Sequence, residues 1–244
     1  METTLLLAGL RVCFVTRTDC LNRRGRAYLA AAGGAPDLTL SVTEPEIEAA
    51  RIAPDGATLP ISEGESFALY RKLAEVLPRF DAFVFHAAAV ETAGIGYAFA
   101  GHSGVGKSTH SRLWQTCFSA SFINGDKPVF RLTDGRFYVC GTPWAGKEPG
   151  QNAPVMRPLG GLCFLRQGKE DVIRPLPPEK AALLLLGQTI LPPDEKDAAR
   201  QMELLDRLAR SVPLYEMACT VSQKAAVLSY TAMTGHAPTA RHTH

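Results

Sequence analysis

The residues with the plainest chemical purpose are Gly101-His102-Ser103-Gly104-Val105-Gly106-Lys107-Ser108-Thr109, which satisfy the spacing G-x-x-x-x-G-K-[ST] at every fixed position. Glycines at those places let a backbone curl around phosphates and aim successive N–H groups at them. The lysine adds a point charge for the outer phosphates, and the hydroxyl of Ser108 suits Mg2+. Ahead of the loop, Ile95 to Ala100 reads as a buried strand. Behind it, Lys107 to Gln115 contains no helix breaker. Strand, loop and helix thus come in the order such a site needs, and the positive end of the helix adds to the anion site. The nine residues are expected to hold the phosphates of ATP.

Two more side chains belong with them. Asp126 closes the apolar stretch that starts at Phe122, where a carboxylate can meet Mg2+ opposite Ser108 or accept a proton. His86 lies in the strand-like run from Asp81 to Val90, which Thr92-Ala93-Gly94 turns back into the strand feeding the loop. Its imidazole is therefore expected near the phosphates, to orient one or to take a proton. Lys107, Asp126 and His86 are the candidate catalytic residues, and Ser108 and Asp126 the candidate metal ligands. A second stretch, Gly141-Thr142-Pro143-Trp144-Ala145-Gly146-Lys147, repeats the glycine and lysine spacing. It continues with Glu148-Pro149-Gly150, which supplies neither the hydroxyl nor a helix, so a second phosphate loop is not expected. Trp144 and Lys147 are expected to line the cleft.

The elements that must position these residues read as α/β. Leu10 to Val15 and Leu38 to Val42 predict strands in a small, mostly β N-terminal lobe. Ser62 and Glu65 have capping-box spacing. After them Phe67, Tyr70, Leu73, Ala74 and Leu77 share one helical face until Pro78. Val129 to Leu132, the turn Asp134-Gly135 and Arg136 to Cys140 predict a hairpin, and Gly161 to Arg166 another strand. Helices are predicted from Pro178 to Gln188 and from Asp194 to Arg210, the second with Ala198, Met202, Leu205, Leu208 and Ala209 inward. Val212 to Met217 predicts a late strand.

Together His86 on its strand, the loop, Asp126 close behind it and the Gly141-Thr142-Pro143-Trp144 segment resemble the HPr kinase/phosphorylase C-terminal domain, a fold shared with phosphoenolpyruvate carboxykinase. The resemblance covers about residues 80 to 230, and its telling part is the short step from loop to aspartate. It implies an α/β P-loop domain with a mixed β-sheet over residues 79–235; outside it the residues themselves read as a β-rich lobe with a packing helix over 1–78 and a polar tail over 236–244. It also implies that residues 101–109 bind the nucleotide phosphates, that Ser108 and Asp126 serve the metal, and that His86 sits at the phosphate site. HPr kinases carry two adjacent aspartates, the first a general base; here that position is Gly125. The signature that follows the HPr kinase core has no match either, so the resemblance implies a relative acting on another substrate. Relatives of this fold often assemble, which leaves a homo-oligomer open.

Bulk properties narrow the partners. A hydrophobic content of 46%, 20% charged residues and a net charge of +2 are ordinary for a globular protein and give no polyanion signal, so no nucleic-acid partner is expected. The opening residues lack a basic leader, and the longest apolar run, Ala181 to Leu186, falls far short of the roughly 20 residues a membrane span needs. No membrane association and a cytoplasmic location are expected. The six cysteines have no metal-ligand spacing and read as small buried hydrophobes; His236, His242 and His244 read as a frayed tail.

These residues suit three functions. The leading one is an Mg-ATP-dependent phosphotransferase moving the γ-phosphoryl group to a hydroxyl of a peptide, protein or small molecule. The others are an ATP-binding regulatory module without transfer chemistry, and carboxykinase-like chemistry on a small acid, for which Arg131, Arg136 and Arg157 are candidate carboxylate ligands.

Overall fold

A computed structural model describes residues 1–53, 56–146 and 150–237. Strands β1 (Glu2–Leu7) and β2 (Leu10–Val15) form a hairpin through Ala8 and Gly9, whose φ angles of 51° and 79° give the turn that matches strand twist. Helix α1 (Cys20–Arg24) follows, β3 (Leu38–Ser41) adds parallel to β2, and α2 (Glu44–Ala50) and α3 (Ile61–Val76) complete the lobe. It is therefore less exclusively β than the sequence suggests. The capping box is also displaced: it forms at Thr43 and Glu46, ahead of α2. Helix α3 begins before Ser62, so that serine falls inside its first turn. Glu65 is 2% exposed and accepts from Arg17 N, Thr18 N and Thr18 Oγ1 at 2.5–2.8 Å. A buried carboxylate with three tertiary donors has no reason to cap its own helix. At Pro78 the α-helix gives way to a short 3-10 turn, Leu77–Phe80.

The expected continuous strand from Asp81 to Val90 is two strands. β4 (Ala82–Val84) pairs with β8 (Val129–Thr133), whereas β5 (Ala87–Thr92) pairs with β6 (Ile95–Ala100) and β7 (Ser121–Asn124). At the crossing, Phe85 N donates to Pro128 O and His86 N to Gln188 O. The chain changes partners there while staying apolar, which is why the run looks unbroken. Helix α4 (Lys107–Phe118) lies between β6 and β7, and β9 (Arg136–Cys140) returns from β8 through Asp134 and Gly135.

Strand β10 (Met156–Gln167) joins the parts of this nine-stranded sheet. Its start is antiparallel to β9; past an irregularity at Gly160 it runs parallel to β6 and to β12 (Leu214–Cys219). Strand β11 (Val172–Pro175) pairs with β12. Helices α5 (Pro178–Leu186), α6 (Glu195–Ser211) and α7 (Gln223–Thr234) complete the fold, a mixed α/β architecture with one large mixed sheet and a small N-terminal sheet. On α6, Asp194 caps the helix and Leu204, Leu205, Leu208 and Ala209 face inward, but Met202 is 46% exposed, one position off the stripe.

Among the described residues, apolar side chains form three clusters. Phe83, Phe85, Phe130 and Phe137 lie with α5 and α6; Phe99, Trp114, Cys163 and Met217 lie with α4 and α7. The third joins Phe14, Leu69 and Leu73 of the N-terminal lobe to Val84, Val129 and Trp144, so the lobe and the large sheet share a core. Cys13, Cys140, Cys163 and Cys219 are buried, and burial pushes the Cys140 thiol up to about 12, with Arg131 opposing. His236 is exposed, while His242 and His244 lie outside the described residues. Among the described residues no helix is long and apolar enough to cross a membrane.

Candidate active site

The loop after β6 has the conformation that its glycines permit. Gly101 has φ 139°, and a Cβ there would meet Leu165 O at 2.7 Å, so both the dihedral and the approach of β10 demand glycine. Gly106, φ 108°, caps α4 with no side-chain acceptor, and the first turn of α4 holds no acidic residue. Its N–H groups are thus left for an external anion. Lys107 is 8% exposed and its Nζ donates to Gly101 O at 2.9 Å and His102 O at 3.3 Å, folding the ammonium into the loop. Burial lowers its pKa; Asp126 opposes this and Lys127 adds to it.

Asp126 reaches the same place from the other side. Asn124, fully buried, donates through Nδ2 to Thr142 and accepts at Oδ1 from Asp126 N (2.9 Å) and Lys127 N (2.7 Å). This side-chain-closed turn fixes where Asp126 points. Ala87 N donates to Asp126 O, tying the turn to the residue after His86. His86 Nε2 lies 3.1 Å from Asp126 Oδ1, and Lys127 Nζ pairs with Oδ2. Burial pushes the Asp126 carboxyl up, but His86 and Lys127 together outweigh it and hold it at about 2. The group is ionised at neutral pH and a weak base. Gln188, with its amide nitrogen turned toward them, bridges His86 O (3.0 Å) and Gly101 O (3.3 Å).

A cleft of about 400 Å3 brings together His86, Lys107, Ser108, Thr109 and Asp126, with Ser103, Gly104, Gly106, Gly125 and Gly146 completing its wall. Gly101, His102 and Val105 are not on that wall: Gly101 packs on β10, His102 is exposed with Nδ1 2.9 Å from Ser103 O, and Val105 is 4% exposed. The cleft sets the N-terminus of α4 and the Lys107 ammonium beside an ionised carboxylate and an imidazole, an arrangement suited to an anion. Ser108 and Asp126 offer hard oxygens on one cleft, and among the described residues no group of three or more His, Cys, Asp or Glu gathers to hold a metal. That donor set fits Mg2+, which takes one or two protein ligands and completes its shell with phosphate and water.

Trp144 does not line the cleft. It is 2% exposed, packs against Phe14 and Tyr70, and donates through Nε1 to Ser66. Lys147 and Glu148 lie outside the described residues. Among the candidate carboxylate ligands, Arg131 donates to Ala8 O, Arg157 pairs with Glu91, and Arg136 is exposed on β9; none borders the cleft. Two side chains that carried no sequence signal shape the site. Lys127 neutralises Asp126, and Gln151, 5% exposed, fills the space beside Gly125, where an added Cβ would meet its Oε1 at 2.4 Å.

No family model and no curated protein matches the chain. Among solved structures it is similar to the Hpr(Ser) kinase/phosphatase from Coxiella burnetii, at 11% sequence identity and a TM-score of 0.38, over 63% of this chain and 89% of that one.

Proposed function

We propose that this protein is an Mg-ATP-binding phosphotransferase of the HPr-kinase-like type, moving the γ-phosphoryl group to a hydroxyl of a peptide, protein or small-molecule acceptor. The observation that carries the reading is a phosphate loop whose lysine and first helical turn share one cleft with an ionised aspartate and a histidine. Loop amides and Lys107 bind the phosphate chain and stabilise the charge that develops on the transferred group. Mg2+, held by Ser108 and Asp126 when the nucleotide binds, would neutralise charge on the outer phosphates. Asp126, held near pKa 2, does not accept the acceptor's proton; it orients His86 through Nε2, leaving Nδ1 as the proton acceptor. His86 takes the role that Gly125 cannot fill.

The test is incubation of the purified chain with γ-labelled ATP, Mg2+ and a cell extract. The reading expects a labelled acceptor with wild type and a loss of at least about 100-fold with Lys107→Ala. Undiminished transfer by that variant would sink the mechanism. One observation favours a second reading, an ATP-binding module without transfer chemistry: Gln151 occupies the space next to Gly125 that a second carboxylate would need. Tight binding of ATP with no labelled acceptor would support the module. The carboxykinase alternative loses its support with Arg131 and Arg157 engaged elsewhere, and an assay with oxaloacetate and ATP decides it.

A further inference from the structure

The large sheet carries helices on both faces, and on one face the cover stops short. Cys163, Leu165, Met217 and Cys219 belong to the cluster with α4 and α7, so strand alternation turns Phe164 and Arg166 of β10, and Glu216 and Ala218 of β12, toward the side of α5 and α6. Register extends these rows onto β11: Ala218 stands between Arg166 and Val172, and Glu216 between Phe164 and Arg174. Ala181 and Leu185 of α5 are buried in one cluster with Phe164. Past Phe164 the corner is open, a cavity of about 420 Å3 at the C-terminal ends of β10 and β12. Arg166, Lys169 and Arg174 are its cations and Glu170 and Glu216 its acids; all five are exposed, and among the described residues none of them is in an ion pair.

An apolar wall adjoins the charges. On α5, Leu186 packs against the cluster that holds Leu204 and Leu208 of α6. At roughly 100° per residue Leu184 falls on the opposite flank. Helix α6 leads into the start of β12, so the flank away from it is the one toward the open corner. Leu184 is 41% and Leu183 82% exposed. The same helix ends at the phosphate cleft: Gln188, just beyond it, accepts from His86 N and bridges His86 O and Gly101 O. Arg166 in turn follows Leu165, whose carbonyl packs on Gly101. Corner and cleft share one rim of the sheet, and α5 joins them.

We propose that the open corner and the adjoining flank of α5 dock an extended, acidic segment of a polypeptide, with carboxylates on Arg166, Lys169 and Arg174 and apolar side chains on Leu183 and Leu184. That this polypeptide is the phosphoryl acceptor rests on the phosphotransferase reading; α5 then guides its hydroxyl toward His86. Three cations against two acids leave one net positive charge, so the surface suits spaced carboxylates and not a dense acidic run. Arg166 and Arg174 stand two strands and two residues apart, roughly 12 Å, which is about three to four residues of extended chain. A small anion covers neither leucine. Pro175 has no N–H to offer a strand added beside β11, so side chains of the segment make the contacts.

Fluorescence anisotropy of the full chain at low salt, with a labelled peptide of repeated Glu-Leu-Ser and its Lys-Leu-Ser counterpart, tests it. Wild type should bind the Glu peptide at least about tenfold more tightly than the Lys peptide and release it as salt is raised. Arg166→Glu with Arg174→Glu should weaken the Glu peptide at least about tenfold. Lys196→Glu with Lys224→Glu, the same charge change on exposed positions of α6 and α7, should leave it within about twofold. Circular dichroism shows that each variant is folded. Equal binding of the two peptides by wild type, binding of neither, or equal losses in the two double variants would overturn the docking surface. Mg-ATP titration is read separately: failure of wild type to bind it would overturn the phosphotransferase reading, and the acceptor assignment with it, while the peptide data still decide the surface.

Discussion

Residues 101–107 and 141–147 carry the same spacing of two glycines and a lysine, and the fold uses them differently past the first glycine. In the first, an added Cβ at Gly104 or Gly106 meets nothing within 4 Å, because the backbone opens toward a cleft. In the second, a Cβ at Gly141 would lie 1.8 Å from Ala153 O, because the backbone is packed against its neighbours. Thr142, 1% exposed, accepts at its carbonyl from Tyr28, Asn124 and Asn152, and Trp144 is sunk in the core shared with the N-terminal lobe. The leading glycines, Gly101 and Gly141, both permit close backbone packing; what the first segment adds is the open space at Gly104 and Gly106. The second still contributes to the site, since Gly146 borders the cleft across from the loop.

The contrast can be broken at several places. Trp144→Ala should cost about 3–5 kcal/mol of stability, read by denaturant unfolding, with little change in nucleotide affinity while the protein remains folded. A large affinity change with intact stability would return Trp144 to the cleft. Gly141→Ala should cost about 3 kcal/mol as backbone is forced apart, whereas Gly104→Ala should cost only about 1 kcal/mol of left-handed strain. Equal costs would erase the distinction between the two segments.

Smaller effects sharpen the electrostatic side. Asp126 has its pKa lowered from 3.8 to about 2 in the fold, so its stabilising contribution is complete above pH 4 and disappears as pH falls toward 2. It should amount to about 2 kcal/mol, seen as a wild-type advantage over Asp126→Asn at pH 7 that narrows on acidification. An advantage that does not change with pH would contradict the ion pairs with His86 and Lys127. Gly125→Asp should be destabilising by about 1 kcal/mol more in wild type than in a Gln151→Ala background, because the glutamine occupies the new side chain's space. Additive effects would place Gln151 elsewhere.

What the sequence made legible was local. The loop, β6 and α4 follow from glycine spacing, an apolar run and the absence of breakers, and the β8–β9 turn from Asp134-Gly135, whose φ angles are 49° and 74°. What it hid was tertiary. Nothing local shows that the chain switches partners at Phe85-His86, or that β10, carrying Pro158, Gly160 and Gly161, pairs with three strands in turn. The Ser62 and Glu65 spacing pointed to a cap because the distant donors at Arg17 and Thr18 are invisible in the sequence. Residue type and proximity to the loop single out His86 and Asp126, and the fold brings them within 3.1 Å. Gln151 carries no signal, because an amide far from the loop belongs to no pattern.

The central claim is that residues 101–109 form a site for the phosphates of a nucleotide. Calorimetric titration of Mg-ATP into wild type and Lys107→Ala, at matched salt and with both proteins shown to be folded, tests it most directly. The account predicts saturable binding by wild type that falls by at least about tenfold in the variant. Binding of equal strength in both, or none in wild type, would contradict it.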